Sequence, residues 1–109
     1  MFFQYHLVML IIEDVRLLCN DDTIVLTDHL LTRIRQRNIR LEEIKSAILN
    51  GDIIEQYPTD YPFPSCLING EDVHIVCSVG EERLYIITAY RPSPVKWGIG
   101  EKERKENRS

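Results

Sequence analysis

The chain has 109 residues, of which 44% are hydrophobic and 28% charged, with a formal net charge of -4 at pH 7. This size and composition predict a single soluble domain and exclude extensive disorder. No apolar run reaches the ~20 residues needed to cross a bilayer, and the acidic balance excludes broad attraction to nucleic acid, so any anion site must be local.

The N-terminal segment, MFFQYHLVMLII, is apolar but lacks the basic region and the small-residue cleavage site of a signal peptide. Met9 is an alternative start to Met1, so we expect residues 1–8 to form a loose extension. The chain has three widely spaced cysteines, which suit reduced thiols in a cytoplasmic protein better than a disulfide framework or a zinc site. We expect Cys66 and Cys77 to be buried in strands.

Apolar residues at helical spacing predict a first helix over residues 9–19, which the polar sequence NDD ends. The sequence TIVLT predicts a short extended link. Either Thr27 or Asp28 can then cap a second helix over residues 28–37, and Asn38 suits a left-handed stop. A third helix is predicted over residues 41–49, with glutamates near its positive N-terminal end.

The second predicted helix carries an apolar stripe and, beside it, a basic one. His29, Arg33 and Arg37 recur every four residues, so they line up along one face of the helix. Such a stripe is either a solvated helix face or a site for an anion, and the arginines could also pair with Asp28 and Glu42.

After Gly51 the sequence predicts four short strands, DIIEQY, SCLI, VHIVCSV and RLYIITAY, which are rich in β-branched and aromatic residues. The proline-rich sequence PTDYPFP is expected to be a loop, and GEE the turn of a hairpin. Helices followed by strands indicate an α+β fold, with the helices on one face of a small antiparallel sheet of about four strands. We expect one domain over residues 9–98 and a charged tail over residues 99–109.

Alternation along the predicted hairpin places a histidine near a hydroxyl group on one face of the sheet. A three-residue GEE loop puts His74 opposite Thr88, whereas a register slipped by two residues puts it opposite Tyr90. On this reading Leu84, Ile86, Thr88 and Tyr90 share one face, and periodicity leaves open whether that face meets the helices or solvent.

The ordered set of these segments, DHLLTRIRQRNIRLEEIKSAILNGDIIEQYP, DVHIVCSV and LYIITAYRP, followed by Trp97, resembles the small bacterial domain-of-unknown-function family 4258. The resemblance covers roughly residues 10–104. It implies a fold similar to metal-independent ribonucleases such as RelE-type toxins, barnase and colicin ribonucleases, with helices against a curved antiparallel sheet. It also implies a toxin whose partner is a small antitoxin of the zinc-finger or helix-turn-helix type.

Matched to the family's polar positions, the resemblance implies candidate catalytic roles for His29, His74, Thr88 and Tyr90 and RNA phosphate binding by Arg33, Arg37 and a C-terminal basic residue, Lys102 or Arg104, of which we take Arg104. The chain departs from the family at Arg40, where a Ser or Thr cap is usual, and in VKWGIGEKERK, which lacks the usual anchor before the terminal basic pair.

Three functions follow as hypotheses. The first is an endoribonuclease without metal or cofactor, in which histidines move protons and arginines hold phosphate. The second is a non-catalytic binding module on the same fold, which engages a protein partner or holds a site that has lost activity, and which the acidic balance favours. His74 could equally be a core or interface histidine. The third is a metal enzyme, which we rank last because the two histidines lack matching carboxylate spacing.

Overall fold

The structure is a computed structural model that describes residues 8–93 of the chain. In chain order its elements are α1 (Ile12–Leu17), β1 (Ile24–Leu26), α2 (Asp28–Gln36), α3 (Leu41–Asn50), β2 (Asp52–Tyr57), β3 (Ser65–Asn69), β4 (His74–Gly80) and β5 (Arg83–Tyr90). The α+β class is therefore confirmed. Most of the N-terminal extension expected over residues 1–8, and all of the tail expected over residues 99–109, lie outside the described residues.

The strands form a five-stranded mixed sheet in the order β1-β5-β4-β3-β2. The prediction of about four antiparallel strands is wrong in one respect: the expected link at Ile24–Leu26 is a strand that pairs parallel with Leu84–Ile86 of β5. Three residues are too few for periodicity to show a strand, and this one exists because β5 offers an unpaired edge. The other pairings are antiparallel.

The helices follow the sequence signals closely, except at α1. The hydroxyl of Thr27 accepts a hydrogen bond from the Leu30 N–H at 3.1 Å, which begins α2. Asn38 takes the expected left-handed conformation, with φ 60°, and ends the helical turn. At Arg40, where the family's hydroxyl cap is missing, the backbone N–H donates to the Glu43 carboxylate at 2.9 Å, so that Glu43 supplies half of a capping box. The first helix is shorter than predicted, since it begins at Ile12 rather than Met9.

The helices cover one face of the sheet, which we call the helix-covered face. Its core holds Ile68, Ile75 and Cys77 of the central strands together with buried residues of all three helices, including Val15, Leu30, Ile34, Ile44 and Ile48. Burying one aliphatic side chain of this size contributes roughly 1.5–3 kcal/mol, so this core is the main stabilising layer. None of the helices within residues 8–93 is long and apolar enough to cross a membrane.

The opposite face of the sheet, which we call the second face, carries His74, Val76 and Ser78 of β4. A bulge between Val76 and Cys77 leaves Ile87 of β5 as the extra residue in the register. Leu84 and Ile86 therefore belong to the helix-covered face, while Thr88 and Tyr90, paired with Val76 and His74, belong to the second face. The expectation that alternation keeps Leu84, Ile86, Thr88 and Tyr90 on one face is wrong, because one extra residue reverses the alternation.

Candidate functional site

The candidate site begins on α2, along the basic stripe formed by His29, Arg33 and Arg37. These residues are four apart, so the stripe extends about 12 Å along the helix at 1.5 Å per residue. His29 and Arg33 are exposed, whereas Arg37, at the C-terminal end, is half-buried. No side-chain hydrogen bond or ion pair joins His29 or Arg33 to another part of residues 8–93, and the stripe therefore keeps two cationic or protonatable groups in solvent. The suggested pairs of arginine with Asp28 and Glu42 are not formed in this range.

Arg37 joins this stripe to the edge of β5. Its guanidinium donates to the hydroxyl of Thr88 at 3.2 Å and to the backbone carbonyl of Ala89 at 2.8 Å. The contact occurs because β1 pairs with β5 only as far as Ile86, so the next part of the β5 edge is open to α2. A cation at this point also lies at the C-terminal end of α2, where the helix dipole favours positive charge. Arg37 thus holds one positive charge beside a hydroxyl of the second face.

His74 and Tyr90 form the next part of the row. They are paired across β4 and β5, and their rings make an edge-to-face contact with centroids 5.5 Å apart. His74 is only 1% exposed, and burial lowers the pKa of its imidazole because the charged form loses hydration. Burial likewise raises the pKa of the Tyr90 hydroxyl. Near neutral pH the pair is therefore an uncharged imidazole next to an uncharged phenol, which can accept and donate a proton respectively.

The register alternative that places His74 opposite Tyr90 is the one the fold adopts. The hairpin turn has two residues rather than three, since Gly80 pairs with Arg83, and Glu81 and Glu82 form the turn. The bulge then shifts Thr88 onto Val76. The turn is therefore not the three-residue loop on which the Thr88 alternative depended. The shorter loop together with the bulge brings Thr88 and Tyr90 onto the same face as His74.

The fold thus brings together four of the seven predicted site residues. Arg37, Thr88, Tyr90 and His74 form a row from the edge of β5 to β4, which we call the β4–β5 row. His29 and Arg33 remain on the exposed part of α2, without a described contact to that row. Arg104 lies outside the described residues.

Arg91, which the sequence analysis did not single out, holds the end of α2 in place. Its guanidinium donates to the Asn38 carbonyl at 2.8 Å and forms ion pairs with Glu43 at 3.1 Å and Asp72 at 3.0 Å. The backbone N–H of Arg40 lowers the pKa of the Glu43 carboxyl first, and Arg91 adds to the shift. Since Arg91 directly follows β5, these bonds fix the α2–α3 junction beside the strand that carries Thr88 and Tyr90.

Further polar pairs on the second face were also missed. Tyr57 donates its hydroxyl to Glu55 on β2, and the Ser65 hydroxyl of β3 donates to Asp60 in the loop that precedes it. The loop also carries Tyr61, Pro62 and Phe63, which with residues of β1, β4 and β5 line a pocket of about 400 Å³. The alternation of proline with aromatic residues in PTDYPFP was the only available signal for it. Within residues 8–93 no three side chains of metal-ligating type are grouped as a metal site would require.

Taken together, these features define a small α+β domain whose helices cover one face of a mixed sheet, with a row of arginine, hydroxyl and imidazole groups running from the sheet edge onto the other face. The family model described as a domain of unknown function (DUF4258) matches residues 26–91, and the chain belongs to that family. The matched region includes the complete β4–β5 row. No curated protein and no solved structure is significantly similar to the chain.

Proposed function

We propose that the protein is a metal-independent endoribonuclease that acts as the toxin of a bacterial toxin–antitoxin pair. The observation that supports this proposal is the β4–β5 row, in which Arg37 lies beside Thr88 and the adjacent Tyr90 packs against His74. RNA cleavage without metal requires a cation for the phosphate, a base for the 2′-hydroxyl and an acid for the leaving 5′-oxygen. The row supplies the cation in Arg37 and a candidate acid in Tyr90, and the exposed start of α2 supplies a candidate base in His29.

In this proposal the cleaved phosphodiester lies between Arg33 and Arg37, which are one helical turn apart on α2, so that His29 is one turn away on one side and Tyr90 lies on the other. Arginine suits this role because it offers two parallel N–H groups to phosphate oxygens. Thr88 orients the bound phosphate through its hydroxyl. Because α2 carries His29 and Arg33 in solvent, the strand can approach along the helix despite the net charge of -4.

In this proposal Tyr90 is the acid, His29 is the base, and His74 positions Tyr90. Tyr90 is half-buried and keeps its proton at neutral pH, which suits an acid toward the 5′-oxygen. His29 is exposed at the start of α2 and can accept the proton of the 2′-hydroxyl. His74 is 1% exposed and acts through Tyr90, because its ring packs against the tyrosine and fixes where the hydroxyl lies.

The proposal is tested by incubating the purified protein with a fluorescent single-stranded RNA in EDTA and measuring the rate of cleavage. We expect products that end in a 2′,3′-cyclic phosphate. Arg37→Ala should lower the rate by about 10²–10³-fold, as the loss of one preorganised charge-stabilising group does. Arg35→Ala is the matched control, since Arg35 is exposed on the same helix away from the stripe. An absence of cleavage, or equal rates for the two variants, would contradict the proposal.

A second candidate function is a protein-binding module without catalysis. Two observations favour it: His74 is almost fully buried, and the net charge of -4 opposes the approach of a polyanion. The two functions differ in their dependence on salt. RNA affinity should fall steeply as salt concentration rises, because bound phosphates release counterions, whereas a protein-binding module should show no RNA affinity at any salt concentration. A small DNA-binding antitoxin as a tight partner would agree with the first function.

A further inference from the structure

A concave feature lies on the second face, next to the β4–β5 row. The loop between β2 and β3 folds over the start of β5 and encloses a pocket of about 400 Å³. Its wall is largely aromatic and aliphatic, formed by Tyr61, Phe63, Tyr85 and Ile87, and the lining also includes the polar residues Thr27, Asp60 and Ser78. A pocket of this size and character suits one flat, partly polar ring.

The loop is held firmly enough to form such a wall. The ring of Phe63 stacks on Tyr85, with centroids 5.5 Å apart and planes 22° from parallel. The same ring lies directly against Gly80, where an added Cβ would come within 2.3 Å of it. At the base of the loop the Ser65 hydroxyl donates to Asp60. Phe63 is therefore an anchor, and the loop's position on the sheet is set by packing.

Tyr61 differs from Phe63 in having no such packing. It is 95% exposed although it lines the pocket, so its ring stands at the pocket mouth. Every base has a flat π-face, and stacking on an aromatic side chain is the usual way in which proteins hold an unpaired base. Tyr61 is placed for this role, with the aromatic pair of Phe63 and Tyr85 behind it.

The pocket is also the right distance from the cationic end of the row. Ile87 lines the pocket and directly precedes Thr88, which bonds Arg37. From Tyr85 to Thr88 the strand advances about 7 Å, because the bulge makes this stretch span only two residues of β4, from Ser78 to Val76, at roughly 3.3 Å per residue. One nucleotide can span this separation between its base and a neighbouring phosphate. Thr27, at the other rim of the pocket, begins the helix that carries the basic stripe. Positive charge for phosphate and an aromatic surface for a base thus lie side by side.

We propose that this pocket binds one unpaired base of a single-stranded RNA, stacked on Tyr61, while the adjoining phosphate lies at Arg37. This inference rests on the proposed function, because it assigns a base subsite to the same RNA. On this proposal the RNA strand crosses β5 from the loop at Tyr61 toward the end of α2.

The test measures the affinity of the full chain for a 2′-O-methyl pentanucleotide, which cannot be cleaved because its 2′-oxygen is blocked. Tyr61→Ala should weaken binding by about 5- to 150-fold, the range that base–aromatic stacking supplies. Tyr61→Phe keeps the ring and should bind as the unmodified protein does. Leu17→Ala, a change at an exposed site on α1, should have no effect. With a pentanucleotide that lacks one base, at the position that occupies the pocket, Tyr61→Ala should cause no further loss.

The outcomes separate the pocket from the nuclease activity. If Tyr61→Ala binds as tightly as the unmodified protein, or if the unmodified protein does not bind the pentanucleotide, the base subsite is overturned even where RNA is cleaved. If binding depends on Tyr61 but RNA remains intact in EDTA, the subsite holds and the nuclease proposal fails. If the loss caused by Tyr61→Ala is the same whichever base is removed, stacking in the pocket is also overturned.

Discussion

Arg37 shows how one side chain connects the helical layer to the sheet. Arg33, Arg35 and Arg37 lie on the same helix, yet within residues 8–93 only Arg37 forms side-chain hydrogen bonds to a strand. Its partners follow from the point where β1 stops pairing with β5, and its position at the end of α2 follows from the left-handed stop at Asn38. The same residue is proposed to bind phosphate, so its structural and functional contributions must be measured separately.

We expect Arg37→Ala to destabilise the fold by about 1–3 kcal/mol, since hydrogen bonds from charged donors contribute that much when their partners are partly buried. Urea unfolding followed by circular dichroism measures the free energy of unfolding. Arg35→Ala should change it by less than about 0.5 kcal/mol, as is usual for exposed sites. Equal stability of the two variants would show that the bonds to Thr88 and Ala89 contribute nothing to folding.

His74 predicts a dependence of stability on pH. Burial lowers the pKa of His74 below the ordinary histidine value of about 6.5, so the unfolded chain binds a proton more readily than the folded one. Stability should therefore be full above about pH 6.5 and should fall as the pH is lowered from there toward the folded-state pKa. The carboxyl pKa values of Asp21 and Glu43 are also lowered, and both groups titrate below this range.

The measurement compares urea midpoints at several pH values between 5 and 7.5 (spanning the histidine range) for the unmodified chain and for His74→Gln. The free energy of unfolding of the variant will differ from that of the unmodified chain at every pH, but its urea midpoint should depend less on pH in this interval. An unchanged slope would mean that His74 is not the group responsible. His29→Gln, at an exposed site on α2, serves as the control for histidine content.

At the scale of elements, the β4–β5 hairpin determines the site through its turn and its bulge. Glu81 and Glu82 both have positive φ, 53° and 60°, which two-residue hairpin turns require and which glutamate adopts at a cost. The bulge between Val76 and Cys77 then turns Thr88 and Tyr90 toward the second face. The turn fixes which residues are paired, and the bulge fixes which face they occupy.

Because Asn-Gly suits this turn far better than Glu-Glu, the double substitution Glu81→Asn with Glu82→Gly should stabilise the protein by about 1–2 kcal/mol. Calorimetry should show a higher Tm. The matched control is Glu81→Gln with Glu82→Gln, which removes the same charges but keeps the strained backbone. If both double variants raise the Tm equally, charge repulsion rather than backbone strain is the cause.

Another element-scale feature is the protection of the outer sheet edge. The side-chain amide of Gln56, on edge strand β2, accepts from the Leu10 N–H at 2.9 Å and donates to the Leu10 carbonyl at 2.8 Å. Arg16 of α1 bonds the carbonyls of Ile48 and Gly51 at the end of α3. The short first helix and the segment before it are therefore held by polar contacts to β2 and α3, and they limit pairing of β2 with another chain.

At the scale of the whole molecule, the cysteines report on the integrity of the core. Cys66 and Cys77 are paired across β3 and β4, with their sulfur atoms 3.9 Å apart, and both are fully buried under the helices. A hydrogen bond with the Cys66 thiol, together with burial, raises the pKa of Cys77 well above its usual value. Cys19 is only half-buried. Since the thiolate is the reactive form, the buried pair should be inert while the sheet is intact.

We expect a thiol reagent at neutral pH to label Cys19 in the native protein and to label Cys66 and Cys77 only at the rate of global unfolding. Mass spectrometry of peptides, after timed labelling at several urea concentrations, would assign each site. The variant Cys19→Ser should be unreactive in its native state. Fast labelling of Cys66 or Cys77 without urea would instead reveal local opening between the helices and the sheet.

The sequence alone determined those parts of the protein that local chemistry specifies. The cap at Thr27, the left-handed stop at Asn38 and the amphipathic period between them define α2 within its own residues. Alternating polar and apolar residues, together with β-branched residues, likewise predict the four longer strands. Family membership also followed from the sequence, because the order of these segments can be read along the chain without knowledge of their contacts.

Only the tertiary structure decided which of the predicted polar residues are neighbours. The strand Ile24–Leu26 exists through its pairing with β5, the extra residue Ile87 reverses the faces, and the aromatic pocket forms because Phe63 packs against Gly80. Each depends on contacts between residues far apart in the chain, whose free energy is gained only when the partner is already in place. Periodicity depends only on residues that are close in the sequence. It could therefore indicate His74 and Arg37 as candidates, but it could not predict that they lie in one row.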